Sequence, residues 1–435
     1  MVDQPILWLA CGMLAMFSMI ALHVPIGVSM AIVGVVGSSM ILGVGPALSL
    51  LAVEPASAIS SLDLASIPLF LLMGSLAASA GISSDIYNAA SSFIGHRRGG
   101  LSMATVAGCA GFGAICGSSV ATTASMAKIA LPEMEKRGYS SSLAAGSIAG
   151  GGSLGILIPP SIIMVLYAVL TEQFVLDLFA AGVIPGIISV ILYFIAIRIV
   201  AYRNPEAAPA GDRVGWSGRW ASIRAAWRAA TIIVLVTFGI YAGVFTVIEA
   251  ASVGVFVTSV FWVFSSARSW KTLAGILKET AATTGMIFVM VVGAHTLSYF
   301  VTLTDAPNIL VDTISNAGLP PLGIIFSLLL IYLVLGAVFE AVAAMVLTLP
   351  FVFPLILNLG YDPIWWGIIN VMIIEIAAVT PPIGINLFVM RAVAPHLALK
   401  TIIRGVTPFI MADVVRITLL ILFPAAATFL PQLLR

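Results

Sequence analysis

Four hydroxyl side chains crowd six residues of the chain: Ser118, Ser119, Thr122 and Thr123, directly after Gly117 in the stretch CGSSVATT. No formal charge stands beside them. Neutral oxygen dipoles around a glycine suit a small hard cation that has shed its water, such as Na⁺. Further along, AGSIAGGGSLGILIPPSIIMVLY (Ala145–Tyr167) puts five glycines and Pro159-Pro160 into its first sixteen residues. Glycine and proline are the poorest helix residues, by about 1 and 3 kcal/mol against alanine. The segment is nevertheless apolar enough to enter a bilayer, where irregular backbone survives only if protein or a water-filled cavity covers it. A break of this kind frees carbonyl oxygens for a cation. It also aims the positive N-terminal end of the next half-helix at an anion.

A second pair of features has the same logic. GAVFEAV carries Glu340, and EIAAVTPPIGIN carries Thr380, Pro381-Pro382 and Asn386. Hydroxyls are fewer there, so Glu340 and backbone carbonyls must compensate. The ion-binding candidates are Ser118, Ser119, Gly151, Gly152, Glu340 and Thr380. The solute-facing candidates are Ser119, Thr122, Ser153, Pro160, Pro382 and Asn386. Other charges in apolar surroundings are Lys128, Glu249, His295, Glu375, Arg391, Asp413 and Arg416. A charge at the bilayer centre costs about 2.5–3.5 kcal/mol on insertion scales, so each needs a partner, water or an interfacial position. Asp413 and Arg416, three apart, can pair on one helix face. Glu249 follows a turn and reads as structural, and His295 reads as a hydrogen-bonded interior residue. Ser118 has no histidine partner in any motif, which argues against an intramembrane hydrolase.

The elements that hold these residues must be membrane spans. Of 435 residues, 61% are hydrophobic and 9% charged, against about 25% charged in soluble domains. The fold class is therefore an all-α polytopic membrane protein. The net charge of +1 gives no signal for nucleic acid, the four histidines are scattered, and Cys11, Cys109 and Cys116 lie in apolar runs. No cofactor or transition-metal site is expected, with Na⁺ as the only metal. Apolar runs predict crossings near 6–22, 25–43, 64–82, 141–170, 174–200, 230–246, 248–266, 281–303, 364–394 and 406–430. The connection Tyr202–Arg228, with Arg203, Arg213, Arg219, Arg224 and Arg228, is assigned to the cytoplasm, with an interfacial helix inside it.

Between the third and fourth crossings, the basic stretches GHRRGG (95–100) and EMEKRGY (133–139) flank two short apolar arms. Both ends on one side predict a re-entrant hairpin at about 101–134 with its tip at Gly117-Ser118-Ser119. A second hairpin at about 322–357 has flanks without lysine or arginine, which places it on the outer side. Gly138-Tyr139 matches Gly360-Tyr361, and Pro159-Pro160 matches Pro381-Pro382. Gly117 is set on Gly336, Pro132 on Pro350, and IPGI at 184–187 on TPFI at 407–410. The chain divides into halves 1–210 and 211–435. Each has about five spans, one hairpin and one broken helix (141–170 and 364–394), and the halves are inverted relative to each other. Both termini are expected on the periplasmic side. Inverted repeats with broken helices are a signature of secondary transporters.

The stretches IPLFLLMGSLAASAGI, GSSVATTASMAKIALPEMEKRGY, GILIPPSIIMVLYA, LFAAGVIPGI, GYDPIWWGII and TPPIGINLFVM together resemble the large membrane subunit of TRAP transporters, the tripartite ATP-independent periplasmic carriers. The resemblance spans nearly the whole chain. It implies a bacterial inner-membrane location, a small membrane subunit of about four helices, and a periplasmic substrate-binding protein. It also implies Na⁺ coupling without ATP and an elevator-like motion of the hairpin block. The cargo would be an organic acid anion such as a C4-dicarboxylate or sialic acid. The family pattern has an aspartate where this chain has Glu340. Proton coupling through Glu340, Glu375 or His295, and an ion channel with re-entrant loops, remain the alternative readings.

Overall fold

A computed structural model describes residues 3–316 and 318–434. Every regular element in it is helical. The first half contains Asp3–Ala21 (α1), Ile26–Leu42 (α2), Val44–Ser60 (α3), Leu62–Ser79 (α4), Ile82–Ile94 (α5), Gly100–Cys116 (α6), Ser119–Lys136 (α7), Ser141–Ser153 (α8), Ile162–Thr171 (α9) and Val175–Arg203 (α10). Trp216–Ala225 (α11), Trp227–Ile233 (α12) and Gly239–Tyr241 (α13) bridge to the second half, with a π turn at Val234–Phe238 between the last two. Then come Val247–Val263 (α14), Trp270–Leu303 (α15), Ala306–Asn316 (α16), Pro321–Val338 (α17), Ala341–Asn358 (α18), Pro363–Val379 (α19), Ile385–Val393 (α20), Leu399–Leu422 (α21) and Ala425–Leu434 (α22). Helices α4, α10, α15 and α21 are each long and apolar enough to cross a bilayer unbroken.

Several boundaries differ from the sequence expectation, for local reasons. Helix α3 was not anticipated, because Pro46, Glu54 and Pro55 interrupt its apolar run. Its Glu54 carboxylate meets His295 Nδ1 of α15 at 2.9 Å. The expected last span ends instead at Leu422, and α22 starts beyond Pro424, which cannot continue the helix. A helix, α11, forms within the connection where one was expected, with Trp216, Trp220 and Ile223 exposed. Arg219 lies 5.1 Å from the Trp216 ring and 5.5 Å from Phe93. Glu249 completes a capping box with Thr246 at the start of α14, as its structural reading required.

Three basic connections gather at one end. Gly99 N donates to Ala208 O, Ser140 N to Ala207 O and Gly211 N to Gly95 O. Both ends of the α6–α7 hairpin are thus bonded to one segment, so the hairpin enters and leaves on the same face. Partial desolvation, then Arg213, Arg219 and Arg97, hold the His96 imidazole there below its ordinary pKa.

The two broken helices, α8–α9 and α19–α20, run antiparallel. Tyr167 OH, near the end of the first, donates to Pro363 O at the start of the second. Beyond the end of the second, His396 Nε2 meets Glu135 Oε1 at 2.8 Å, just before the start of the first. The crossing point is Ser153 with Glu375, whose Oγ and Oε1 lie 3.1 Å apart. The 222 residues that separate this pair also separate Ser119 from Ala341, Lys136 from Asn358 and Ser141 from Pro363, the bounds of α7, α8, α18 and α19. The hairpin alignment read from sequence, Gly117 with Gly336 and Pro132 with Pro350, uses offsets of 219 and 218 instead of the 222 that the helix bounds share. At the offset of 222, Ser118 and Glu340 coincide as the N-caps of α7 and α18, and Pro132 falls on Pro354.

A buried ionic cluster sits at the crossing. Arg416 NH2 lies 2.8 Å from Glu375 Oε2 and 3.0 Å from Asp413 Oδ1. Arg416 NH1 donates to Ser189 Oγ at 2.6 Å, and Tyr193 OH reaches both Asp413 oxygens at 2.8 and 2.9 Å. All are shielded from solvent. One guanidinium faces two carboxylates, and the hydroxyls of Tyr193 and Ser153 cover the excess negative charge. The cluster joins α8, α10, α19 and α21. Glycines let these helices close: a Cβ on Gly146 of α8 would lie 2.0 Å from Gly405 O of α21.

Two stability predictions follow from this packing. Arg416→Met leaves two carboxylates buried together and should cost about 3–5 kcal/mol, while the triple change Glu375→Gln/Asp413→Asn/Arg416→Met should recover most of that loss. Gly146→Ala should cost about 1–3 kcal/mol through overpacking, while Gly45→Ala, which meets nothing within 4 Å, should not destabilise. Thermal unfolding of the detergent-purified protein reads both. A triple variant no more stable than Arg416→Met would refute the electrostatic explanation.

Candidate functional site

Two helix N-termini converge where the first hairpin meets the first break. Ser118 caps α7, its Oγ accepting from Ala121 N at 3.4 Å. Ser161 caps α9, accepting from Met164 N at 3.5 Å and donating to Ile156 O at 2.5 Å. Between them, Gly117 takes the left-handed region at φ 63°. A Cβ there would come within 2.9 Å of Pro160 O and 3.4 Å of Ile162 N. Only glycine meets both demands of the tip, positive φ and close approach.

Hydroxyls press on backbone just behind the tip. A Cβ on Gly155 would meet Thr122 Oγ1 at 2.7 Å and Ser118 O at 2.9 Å. One on Gly152 would meet Thr123 Oγ1 at 2.0 Å. Thr122 and Thr123 are wholly buried, and their Oγ1 atoms have no hydrogen-bond partner among the described residues. A buried hydroxyl without a partner is costly. Two of them on one turn of α7, next to the C-terminal end of α6 whose last carbonyls lack intrahelical partners, make an oxygen-lined surface of the kind that suits a cation. The N-termini of α7 and α9 at the same junction favour an anion.

The sequence candidates distribute unevenly. Ser118, Ser119 (6% exposed), Thr122 and Pro160 belong to this junction. Asn386 approaches from the other half on α20, which packs on α7 and α8: it is fully buried, its Nδ2 reaches Ala149 O of α8 at 3.5 Å, and its Oδ1 has no partner among the described residues. Gly151 and Gly152 lie inside α8, which stays helical to Ser153 and tightens into a 3₁₀ turn at Leu154–Ile156. The Leu154 N–H takes up the carbonyls of Gly151 and Gly152. The unwound stretch is therefore Leu157–Ser161, not the glycine run. The glycines act through what they omit: Gly152 and Gly155 clear space for Thr123 and Thr122, while Gly151 faces Cys109 and Val106 of α6. Ser153 turns toward Glu375 rather than toward the tip.

The second cluster is different. Glu340 caps α18, its Oε2 accepting from Ala343 N at 3.4 Å. Thr380 ends α19 and donates back to Ile376 O at 2.6 Å. Gly336 of α17 packs on α19, where a Cβ would lie 2.6 Å from the Ala377 side chain. Pro159 and Pro160 are buried, whereas Pro381, Pro382 and Ile383 are exposed. Glu340 and Thr380 thus sit at the second hairpin and the second break, with Pro382 exposed.

Sequence reasoning overlooked Gly155 and Ser161, and placed Glu375 without its partner Arg416. The serine after Pro-Pro was a readable signal, since serine before an apolar run marks an N-cap. The Glu375–Arg416 contact joins α19 to α21, and no local pattern announces it.

Comparison with known proteins agrees with this architecture. The description "Tripartite ATP-independent periplasmic transporter, DctM component" matches residues 13–426. A Pseudomonas aeruginosa protein, "C4-dicarboxylate TRAP transporter large permease protein DctM", is 36% identical over 85% of this chain and 86% of its own length. The Vibrio cholerae "Sialic acid TRAP transporter large permease protein SiaM" is 30% identical over 86% of this chain and 87% of its own. Among solved structures, the Alcanivorax borkumensis YdaH transporter superposes with a TM-score of 0.59 at 14% identity, covering 88% of this chain and 90% of that one, a likeness of fold. Hairpins, paired breaks and a family match running almost from end to end lead to one assignment: the chain belongs to the DctM family of TRAP transporter large permease subunits, membrane transporters and not enzymes.

Proposed function

We propose that this permease imports an organic acid anion, driven by the Na⁺ gradient, across the bacterial inner membrane. The anion, a C4-dicarboxylate, sialic acid or another carboxylate, arrives from a periplasmic binding protein. A small four-helix membrane subunit completes the complex. The observation that carries this reading is the pair of buried, unpartnered hydroxyls Thr122 and Thr123, set against glycine-cleared backbone where two helix N-termini meet. The hydroxyls and helix C-terminal carbonyls take Na⁺, and the adjacent N-termini and Asn386 take the carboxylate. Binding one charge beside the other lowers the cost of desolvating both, which is the physical basis of coupling.

The tripartite family and the substrates named for its relatives support the cargo class and the partners. The gathering of basic loops at the hairpin base supports a cytoplasmic assignment for that end. In this reading the N-terminus is periplasmic and the two halves are inverted repeats. The block of hairpins and broken helices, clamped by Arg416, slides as one body past a scaffold that includes α2 and α15. Those two pack closely enough that a Cβ on Gly293 would lie 2.2 Å from Gly27 O. The C-terminal α22 folds back on α10. Proton coupling keeps one supporting observation: Glu340 is a carboxylate at the outer tip.

Proteoliposomes containing the complex and its binding protein should accumulate substrate only under an inward Na⁺ gradient. Each net charge moved should respond to voltage by about 2.3 kcal/mol per 100 mV. Uptake driven by a pH step in Na⁺-free buffer would replace the Na⁺ reading with proton coupling. Thr122→Val and Thr123→Val keep shape and remove the oxygens. Each should raise the half-saturating Na⁺ concentration at least tenfold, about 1.4 kcal/mol, with little change in folding stability. Unchanged Na⁺ dependence in the double variant would remove the ion from this junction.

A further inference from the structure

We propose that the membrane-facing groove between α6 and α10 is a site for an anionic phospholipid of the leaflet on the basic side. Arg97, Arg198 and Arg203 would hold the phosphate, and an acyl chain would run up α10 to the first helix break.

The groove has two sectors. Its basic-end sector has a volume of about 800 Å³ and is lined by Arg97, Arg198, Arg203 and Tyr202 above Ile195 and Ile199. Its deeper sector, about 620 Å³, is almost wholly apolar and reaches Ile158 and Pro159 of the unwound segment. Ile191 lines both. Helix α6 follows the same path, with Met103 in the first sector and Ala110 and Ala114 in the second. The groove is therefore one trough with a charged mouth and an oily floor.

Charge complementarity identifies the occupant. None of the three arginines has an ion-pair or side-chain hydrogen-bond partner among the described residues. All three are exposed. Guanidinium groups match phosphate geometry and bind it through paired N–H donors, and basic pockets at transmembrane helix ends are suited to acidic headgroups. A soluble phosphate would leave the oily floor uncovered. A neutral helix would leave the arginines unpaired.

Length agrees as well. The exposed stripe Ile187, Ile191, Ile195 and Ile199 recurs every fourth residue, with exposures of 56, 52, 49 and 46%. From Ile187 to Arg198 a helix rises about 16 Å, close to half of the roughly 30 Å hydrocarbon core. One acyl chain anchored at Arg198 ends near Pro159. There it lies between α10 and the wall formed by Phe238 and Tyr241.

Native mass spectrometry of the intact detergent-purified complex, titrated with phosphatidylglycerol or phosphatidylcholine, tests this. Phosphatidylglycerol should bind at least tenfold more tightly than phosphatidylcholine. Arg97→Gln/Arg198→Gln/Arg203→Gln should abolish that preference. Lys400→Gln/Arg404→Gln, which alters charges outside the groove, should keep it. Equal loss in both variants, or none in the first, overturns the proposal. A photo-reactive residue replacing Ile195 in the otherwise native complex gives an independent reading in membranes. Cross-linking to phospholipid supports the site, and cross-linking to the small membrane subunit overturns it by assigning the groove to protein.

Discussion

Backbone polar groups at membrane depth need partners that water cannot supply, and this molecule unwinds its chain there twice. The first unwound stretch, Leu157–Ser161, is buried against the protein except at Ile158, which faces the α6–α10 groove. Hairpin α6–α7 reaches it only because Gly117, Gly152 and Gly155 lack the Cβ atoms that would collide with Pro160, Thr123 and Thr122. The glycines are thus space reserved for oxygen. What fills the space is two hydroxyls with no protein partner, an arrangement that makes sense if the partner is a ligand.

Close approach also explains the ionic cluster. Where Gly146 and Gly405 bring α8 against α21, the broken helices cross, and the contact at the crossing is polar: Ser153 with Glu375. A serine on one helix meets a carboxylate on its counterpart, and Arg416 balances the carboxylate from α21. An apolar contact would tolerate sliding between the two helices. A buried, hydrogen-bonded ion pair has one geometry of low energy, so it registers the helices against each other. In the elevator motion proposed above, such registry would let the block move as a unit.

The two ends of the molecule differ in kind. At the basic end, loops 95–99, 137–140 and 204–211 are tied by backbone hydrogen bonds and bring together Arg97, Arg98 and Arg137 with the flanking Arg203 and Arg213. The opposite face carries few cations, and its polar contacts are caps such as Asp362, which accepts from Ile364 N and Trp365 N. This asymmetry leaves uncompensated guanidinium groups above the α6–α10 trough, where an acidic lipid would complement them.

By itself the sequence determined the class of molecule, the two hairpins, the two breaks and the family, because these are written in local chemistry: apolar run length, flanking charge, Gly and Pro. The hairpin arms and broken helices fall within a few residues of the expected limits. The pairing of Asp413 with Arg416 was legible from a three-residue spacing. Only the tertiary structure decided where the backbone unwinds, since packing against α6, α7 and α21 keeps the glycine run of α8 helical despite its poor propensity. It also decided that Asn386 of α20 reaches α8, that Ser153 answers Glu375, and that helix α3, broken by prolines on paper, is held against α15 by Glu54 and His295. Each of these depends on atoms far apart in the chain, and their energy arises only once the helices have met.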